Sequence, residues 1–157
     1  MLYPIGIQSF EKIRTGGFVY VDKTALIYRL AASGQYYFLS RPRRFGKSLL
    51  VSTMEAYFSG RKELFEGLAM ESLEKDWVSY PVLHLDLTGA AYLSVDELYS
   101  KLNSFLSKYE ERYEIRTGEH VASVRFENII DTAFQKTGQK VVILIDEYEK
   151  PIIDNID

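Results

Sequence analysis

The chain contains no cysteine in 157 residues. A disulfide or thiolate framework is therefore excluded, and the fold has to rest on buried apolar side chains, which make up 46% of the sequence and suffice for a single core. Excess charge is also lacking. A formal net charge of −3 gives no general electrostatic footprint for nucleic acid or a membrane surface, and the basic residues gather locally only around 41–47. No stretch approaches the roughly 20 apolar residues of a membrane span. The opening Met1-Leu2-Tyr3-Pro4-Ile5-Gly6 has neither a charged lead nor a sustained apolar run, so the cytoplasm is the expected compartment. Repeats, low-complexity tracts and Ser/Gly linkers are missing too, and no internal domain boundary is expected.

What is present is concentrated in two places. The first is Arg41-Pro42-Arg43-Arg44-Phe45-Gly46-Lys47-Ser48, which fits the phosphate-loop pattern G-x-x-x-x-G-K-[ST] except at its first position, where Arg41 replaces glycine. Tyr36-Tyr37-Phe38-Leu39 before it reads as a short buried strand. After it, Leu49, Leu50, Thr53, Met54, Tyr57 and Phe58 recur at helical spacing. A helix start presents unbonded N–H groups and partial positive charge, which suits a phosphate. Gly46 would allow close approach, Lys47 would reach the outer phosphates, and the Ser48 hydroxyl would ligate magnesium. Arg43, Arg44, Phe45 and Leu49 complete the expected nucleotide-contacting set. Arg43 and Arg44 have two readings: added charge on the phosphates or pairing with acids near Asp146, against simple solvation. Taken alone, Gly-Lys-Ser could be no more than a basic turn.

The second place is Val141-Val142-Ile143-Leu144-Ile145, a β-branched run expected to be a central parallel strand covered on both faces, which ends in Asp146-Glu147. Asp146 is suited to hold magnesium, and Glu147 to orient and deprotonate an attacking water. Such a pair marks the hydrolytic, additional-strand branch of P-loop ATPases. Its bland alternative is an edge strand running into an acidic turn.

Between these places the order reads as strand 18–21, helix 22–32 with Asp22 as N-cap, a short helix 62–68, and a strand over 81–87. A helix opened by the capping box Ser94-Val95-Asp96-Glu97 follows, with Val95, Leu98, Leu102, Phe105, Leu106 and Tyr109 on one stripe, and then a helix over about 123–136. Asp86, at the C-terminal end of its strand, is a secondary candidate at the edge where open parallel sheets bind ligands. His84, Tyr20, Asp22, Lys23 and Thr24 are better explained by capping and packing.

Phe18-Val19-Tyr20-Val21-Asp22-Lys23-Thr24, the loop at 37–48 and Ile145-Asp146-Glu147-Tyr148-Glu149-Lys150-Pro151-Ile152 together resemble the AAA-ATPase-like family, found mostly in bacteria. The blocks Ala56-Tyr57-Phe58-Ser59-Gly60, Leu64-Phe65-Glu66-Gly67-Leu68 and Tyr80-Pro81-Val82-Leu83-His84-Leu85-Asp86 agree with it. Glu149 departs from the family, which usually has aspartate there. The resemblance implies a P-loop three-layer α/β sandwich with a mainly parallel sheet, ATP and Mg²⁺ as ligands, and hydrolysis of ATP. It also implies that an absent first glycine is a family habit. Members are commonly longer, with a PD-(D/E)XK nuclease-like domain after the ATPase module; no such pattern occurs in these residues. Residues 1–157 are thus expected to be the N-terminal portion of one such domain, with 1–34 as a strand-helix extension, ending after the acidic strand and ahead of an effector domain. A sheet left open there favours homo-oligomers. An ATPase, a nucleotide switch with little turnover, and an interaction domain that has lost its ligand are the three open functions, the first expected of the full-length protein and the second of these residues alone.

Overall fold

Helix starts organise the first of two units, residues 1–79 and 80–157, into which the computed structural model divides. The structure describes residues 2–40, 42, 45–89, 92 and 94–153. In the first unit, Ser9 accepts the Lys12 N–H at 3.3 Å and opens α1 (Phe10–Thr15). The Phe10 N–H, unbonded within its own helix, donates to Ser52 Oγ at 2.9 Å on α3. The other elements are α2 (Thr24–Ser33), α3 (Lys47–Phe58), a 3₁₀ turn (Lys62–Phe65) and α4 (Ala69–Leu73).

Aromatic rings supply much of this unit's core. Phe10 and Phe65 are fully buried with ring centroids 4.9 Å apart, and Phe65 meets Trp77 at 5.2 Å. Ile27, Ala56, Leu64 and Met70 close the cluster. Each such ring pair adds about 0.5–1.5 kcal/mol to the burial itself. Gly60 ends α3 at φ 70°, and a side chain there would meet the Trp77 carbonyl oxygen at 3.1 Å.

A five-residue helix such as α4 cannot hold itself in water. Its first N–H groups are taken by residues distant in sequence: Ala69 donates to Asp22 Oδ2 at 2.7 Å and Met70 to Thr24 Oγ1 at 3.0 Å. Asp22 Oδ1 also accepts the Thr24 N–H at 2.8 Å, while the formal N-cap of α2 is Lys23, one residue later than expected. Burial pushes the Asp22 carboxyl up, yet the bonds from Ala69 and Thr24 outweigh it and hold the group below the ordinary aspartate value.

The second unit carries a two-stranded parallel sheet, β1 (Val82–Asp86) beside β2 (Val142–Asp146), registered from Val82 against Val142 to Asp86 against Asp146. Helices α5 (Val95–Arg112) and α6 (Ala122–Thr137) pack together, and the short α7 (Lys150–Ile153) follows the acidic residues. Leu83, Leu106, Tyr109, Tyr113, Ile129 and Ala133 form the core. The Tyr109 hydroxyl accepts the His84 N–H at 2.8 Å, tying β1 to α5. Arg125 on α6 grips Glu110 on α5 through two 2.7 Å bonds and reaches Asn103 Oδ1 at 2.8 Å. The capping box is complete, with Ser94 Oγ and the Glu97 carboxylate each accepting the other residue's N–H.

Several expectations are corrected. Residues 36–39 form no strand, and Tyr36 and Phe38 stand 93% and 73% exposed. A strand needs a neighbour to take its backbone bonds, and within residues 1–79 the described bridging is one isolated contact, Leu2 with Phe18. For the same reason 18–21 is not a strand. Of the helix expected over 62–68 only the 3₁₀ turn at Lys62–Phe65 forms; Gly67 follows at φ 73°, and α4 begins at Ala69, past the expected end. β2 is not covered on both faces: Leu144 and Asp146 are buried, whereas Ile143 and Ile145 are 42% and 49% exposed. Val95 lies off the buried stripe of α5, 68% exposed in its first turn.

Candidate functional site

The phosphate-loop candidates lie in the first unit. Gly46 is the N-cap of α3 at φ 76°, ψ 24°, a left-handed conformation that glycine adopts without strain. A Cβ built there meets none of the described residues within 4 Å, and the backbone angle is what calls for glycine at this position. Lys47 and Ser48 are the first two helical residues and both are half-buried. The N-cap supplies no side-chain bond, and no acid occupies the first turn. No carboxylate of the turn itself therefore offsets the positive end of the helix. Phe45 is 63% exposed, and Leu49 packs against the aromatic core. Arg41, Arg43 and Arg44 lie outside the described residues, so both readings of the arginines stay open.

A cleft of about 250 Å³ runs along the later part of α3, lined by Ser9, Glu11, Ser52, Glu55 and Arg61. Glu11 accepts from Arg61 at 2.9 Å, and the two glutamates along its wall make it a poor seat for phosphates. It is separate from the Gly46 turn.

The acidic candidates lie in the second unit. Asp146, only 5% exposed, ends β2, and its Oδ1 accepts the Glu147 N–H at 3.0 Å. Glu147 stands at φ 56°, which costs a non-glycine residue on the order of 1 kcal/mol. Its carbonyl accepts the Lys150 N–H at 2.9 Å, closing a turn into α7. Asp86 faces Asp146 in register, and its Oδ1 accepts the Thr88 N–H at 2.8 Å. Burial pushes the Asp86 carboxyl up, but the Thr88 bonds and the positive charges of His84 and Lys101 outweigh it, so its value falls below the ordinary one. The left-handed turn at Glu147 had no signal in the sequence, because glutamate is not a residue that marks positive φ. The Asp22 and Thr24 side chains bond the starts of α2 and α4, whereas the bond at His84 is made by its backbone N–H and does not involve the imidazole.

The family model described as "Predicted AAA-ATPase" matches residues 4–157, and the chain belongs to that AAA-ATPase-like family. Azotobacter chroococcum mcd 1 has a relative, described as an uncharacterized protein in the vnfD 5′ region, that is 41% identical over 155 residues. The match takes in 98% of this chain but 30% of the relative, so the chain spans about a third of that protein's length. No solved structure matches the chain. Among the described residues, no helix is long and apolar enough to cross a membrane.

Proposed function

We propose that the chain is the magnesium-ATP-binding module of a P-loop ATPase of the additional-strand branch, whose turnover drives a conformational change in an effector domain C-terminal to it. The observation that carries this reading is the start of α3: a left-handed Gly46, then Lys47 and Ser48 in a first turn without acids, at the head of a 12-residue helix. Family membership supports the same reading.

The open space where a Gly46 Cβ would stand fits the close approach of a phosphate. Lys47 neutralises charge on the outer phosphates, and the first-turn N–H groups of α3 bind their oxygens. Ser48 and Asp146 would hold magnesium, which when bound spreads charge away from the transferred phosphoryl group. Among the described residues no group of three or more histidines, aspartates or glutamates forms a metal cage. Magnesium suits that setting, since it is usually held by one or two carboxylates together with substrate phosphates. Glu147 orients a water and takes its proton.

Glu147→Gln tests the assignment in one comparison. Turnover of magnesium-ATP should fall at least 10²-fold while nucleotide affinity stays within about twofold, as expected for loss of a general base. Equal turnover in variant and parent would remove Glu147 from the chemistry. Binding without turnover in the parent would make the chain a nucleotide switch.

A further inference from the structure

We infer that Tyr92 is a positioning residue for Asp146 and Glu147, an inference that rests on reading that pair as the magnesium- and water-handling half of the site. Tyr92 is fully buried, and its hydroxyl donates to the Leu87 carbonyl at 3.1 Å. The N–H of Leu87 in turn donates to the Asp146 carbonyl at 3.2 Å, carrying the β1–β2 ladder one residue past the end of β1. The Leu87 residue is thus held between Tyr92 and the backbone of Asp146.

The same tyrosine reaches the other flank of the pair. The Lys150 ammonium sits 5.9 Å from the centroid of its ring, within cation–π range. Lys150 is the first residue of α7, and its N–H is the donor to the Glu147 carbonyl. At four residues α7 cannot fix that turn by helix formation alone. Glu147 sits between these two anchors in a left-handed conformation that persists only where its surroundings enforce it. One buried side chain therefore contacts both the residue that holds the Asp146 carbonyl and the residue that holds the Glu147 carbonyl. Hydroxyl and ring do separate tasks, and substitution can separate them.

Tyr92→Phe removes the hydroxyl and keeps the ring; Tyr92→Leu removes both. The test measures amide hydrogen exchange on the whole chain, with the His84 amide, bonded to Tyr109, as internal reference, together with kcat and KM for magnesium-ATP. In Tyr92→Phe, exchange at Leu87 should rise about 2- to 13-fold, the loss of one ordinary hydrogen bond, with His84 unchanged. In Tyr92→Leu, Glu147 and Lys150 should follow, and kcat should fall with KM unchanged. If Tyr92→Leu does not fold, Lys150→Gln replaces it and should raise exchange at Lys150. Exchange that is unaltered, or that rises equally at His84, would overturn the inference by making Tyr92 a packing group. So would altered exchange with parental kcat. If the parent chain itself does not turn over ATP, the expected exchange pattern would sustain the clamp on the turn while the reading of Glu147 as a base fails.

Discussion

The two units hold their candidate residues by opposite means. In the first, the candidate phosphate seat is made of backbone: a left-handed glycine and the opening turn of α3, with Lys47 as the one added charge in that turn. In the second, the candidate residues are side chains, Asp146 and Glu147, placed by strand pairing and by a strained turn. The first unit also secures its small elements by bonds from side chains distant in sequence, Asp22 and Thr24 onto α4 and Ser52 onto α1. The second combines the local capping box at Ser94 with links between neighbouring elements, the Arg125–Glu110 ion pair and the Tyr109 hydroxyl on the His84 N–H. A seat made of backbone tolerates many side-chain changes but few changes of φ, whereas a site of carboxylates is the reverse.

Substitutions can break this contrast, beginning where the effect is greatest. Leu83→Ala, in β1 and fully buried, should lower stability by about 2–5 kcal/mol in chemical denaturation and loosen the β1–β2 register that places Asp146. A loss below 1 kcal/mol would mean that the sheet contributes little to holding the acidic half. Glu110→Gln, which leaves Arg125 without its charged partner, should lose about 1.5–3 kcal/mol at pH 7.

The pH dependence of that ion pair has a definite sign. The Arg125 bonds hold the Glu110 carboxyl below its ordinary value of 4.5, so the folded state binds its proton less readily than the unfolded chain. The stabilisation is complete above that ordinary value and disappears as pH falls through the depressed one. Denaturation midpoints should therefore decline on acidification below pH 4.5 in the parent, with a shallower decline in Glu110→Gln. Equal slopes would show that the pair is not coupled to folding.

Gly46→Ala sharpens the contrast in the other unit. An alanine at φ 76° should cost about 1–2 kcal/mol and weaken nucleotide binding even though the helix and Lys47 remain. Unchanged binding would show that the backbone angle is not what forms the seat. Asp22→Ala is expected to have the smallest effect, about 1 kcal/mol, with faster exchange at Ala69 as its local signature.

How much the sequence revealed depended on whether an element carries its own instructions. The Ser94–Glu97 capping box, the glycine before Lys47 and the helices over 47–58 and 122–137 are set by neighbours within a few residues, and the structure has them where local rules put them. Strands depend on partners elsewhere in the chain. Tyr36–Leu39 and Val142–Ile145 are both apolar runs, yet only the second has a paired neighbour, β1, and becomes a strand. In the candidate site, residue types point to Gly46, Lys47, Asp146 and Glu147, and the structure has the first two at the start of α3 and the last two at the end of β2. The turn that holds Glu147 and the reach of Tyr92 to both of its flanks arise from tertiary contacts and left no periodic trace. α1 was missed although Ser9 and Gly16 flank it, because six residues are too few for a periodic stripe.

Equilibrium titration of the chain with a fluorescent magnesium-ATP analogue, beside Lys47→Ala and with GTP as competitor, tests the central claim most directly. The account predicts saturable binding by the parent chain that Lys47→Ala weakens at least tenfold. Indistinguishable curves for the two proteins would contradict it, because the start of α3 would then not be where the nucleotide binds.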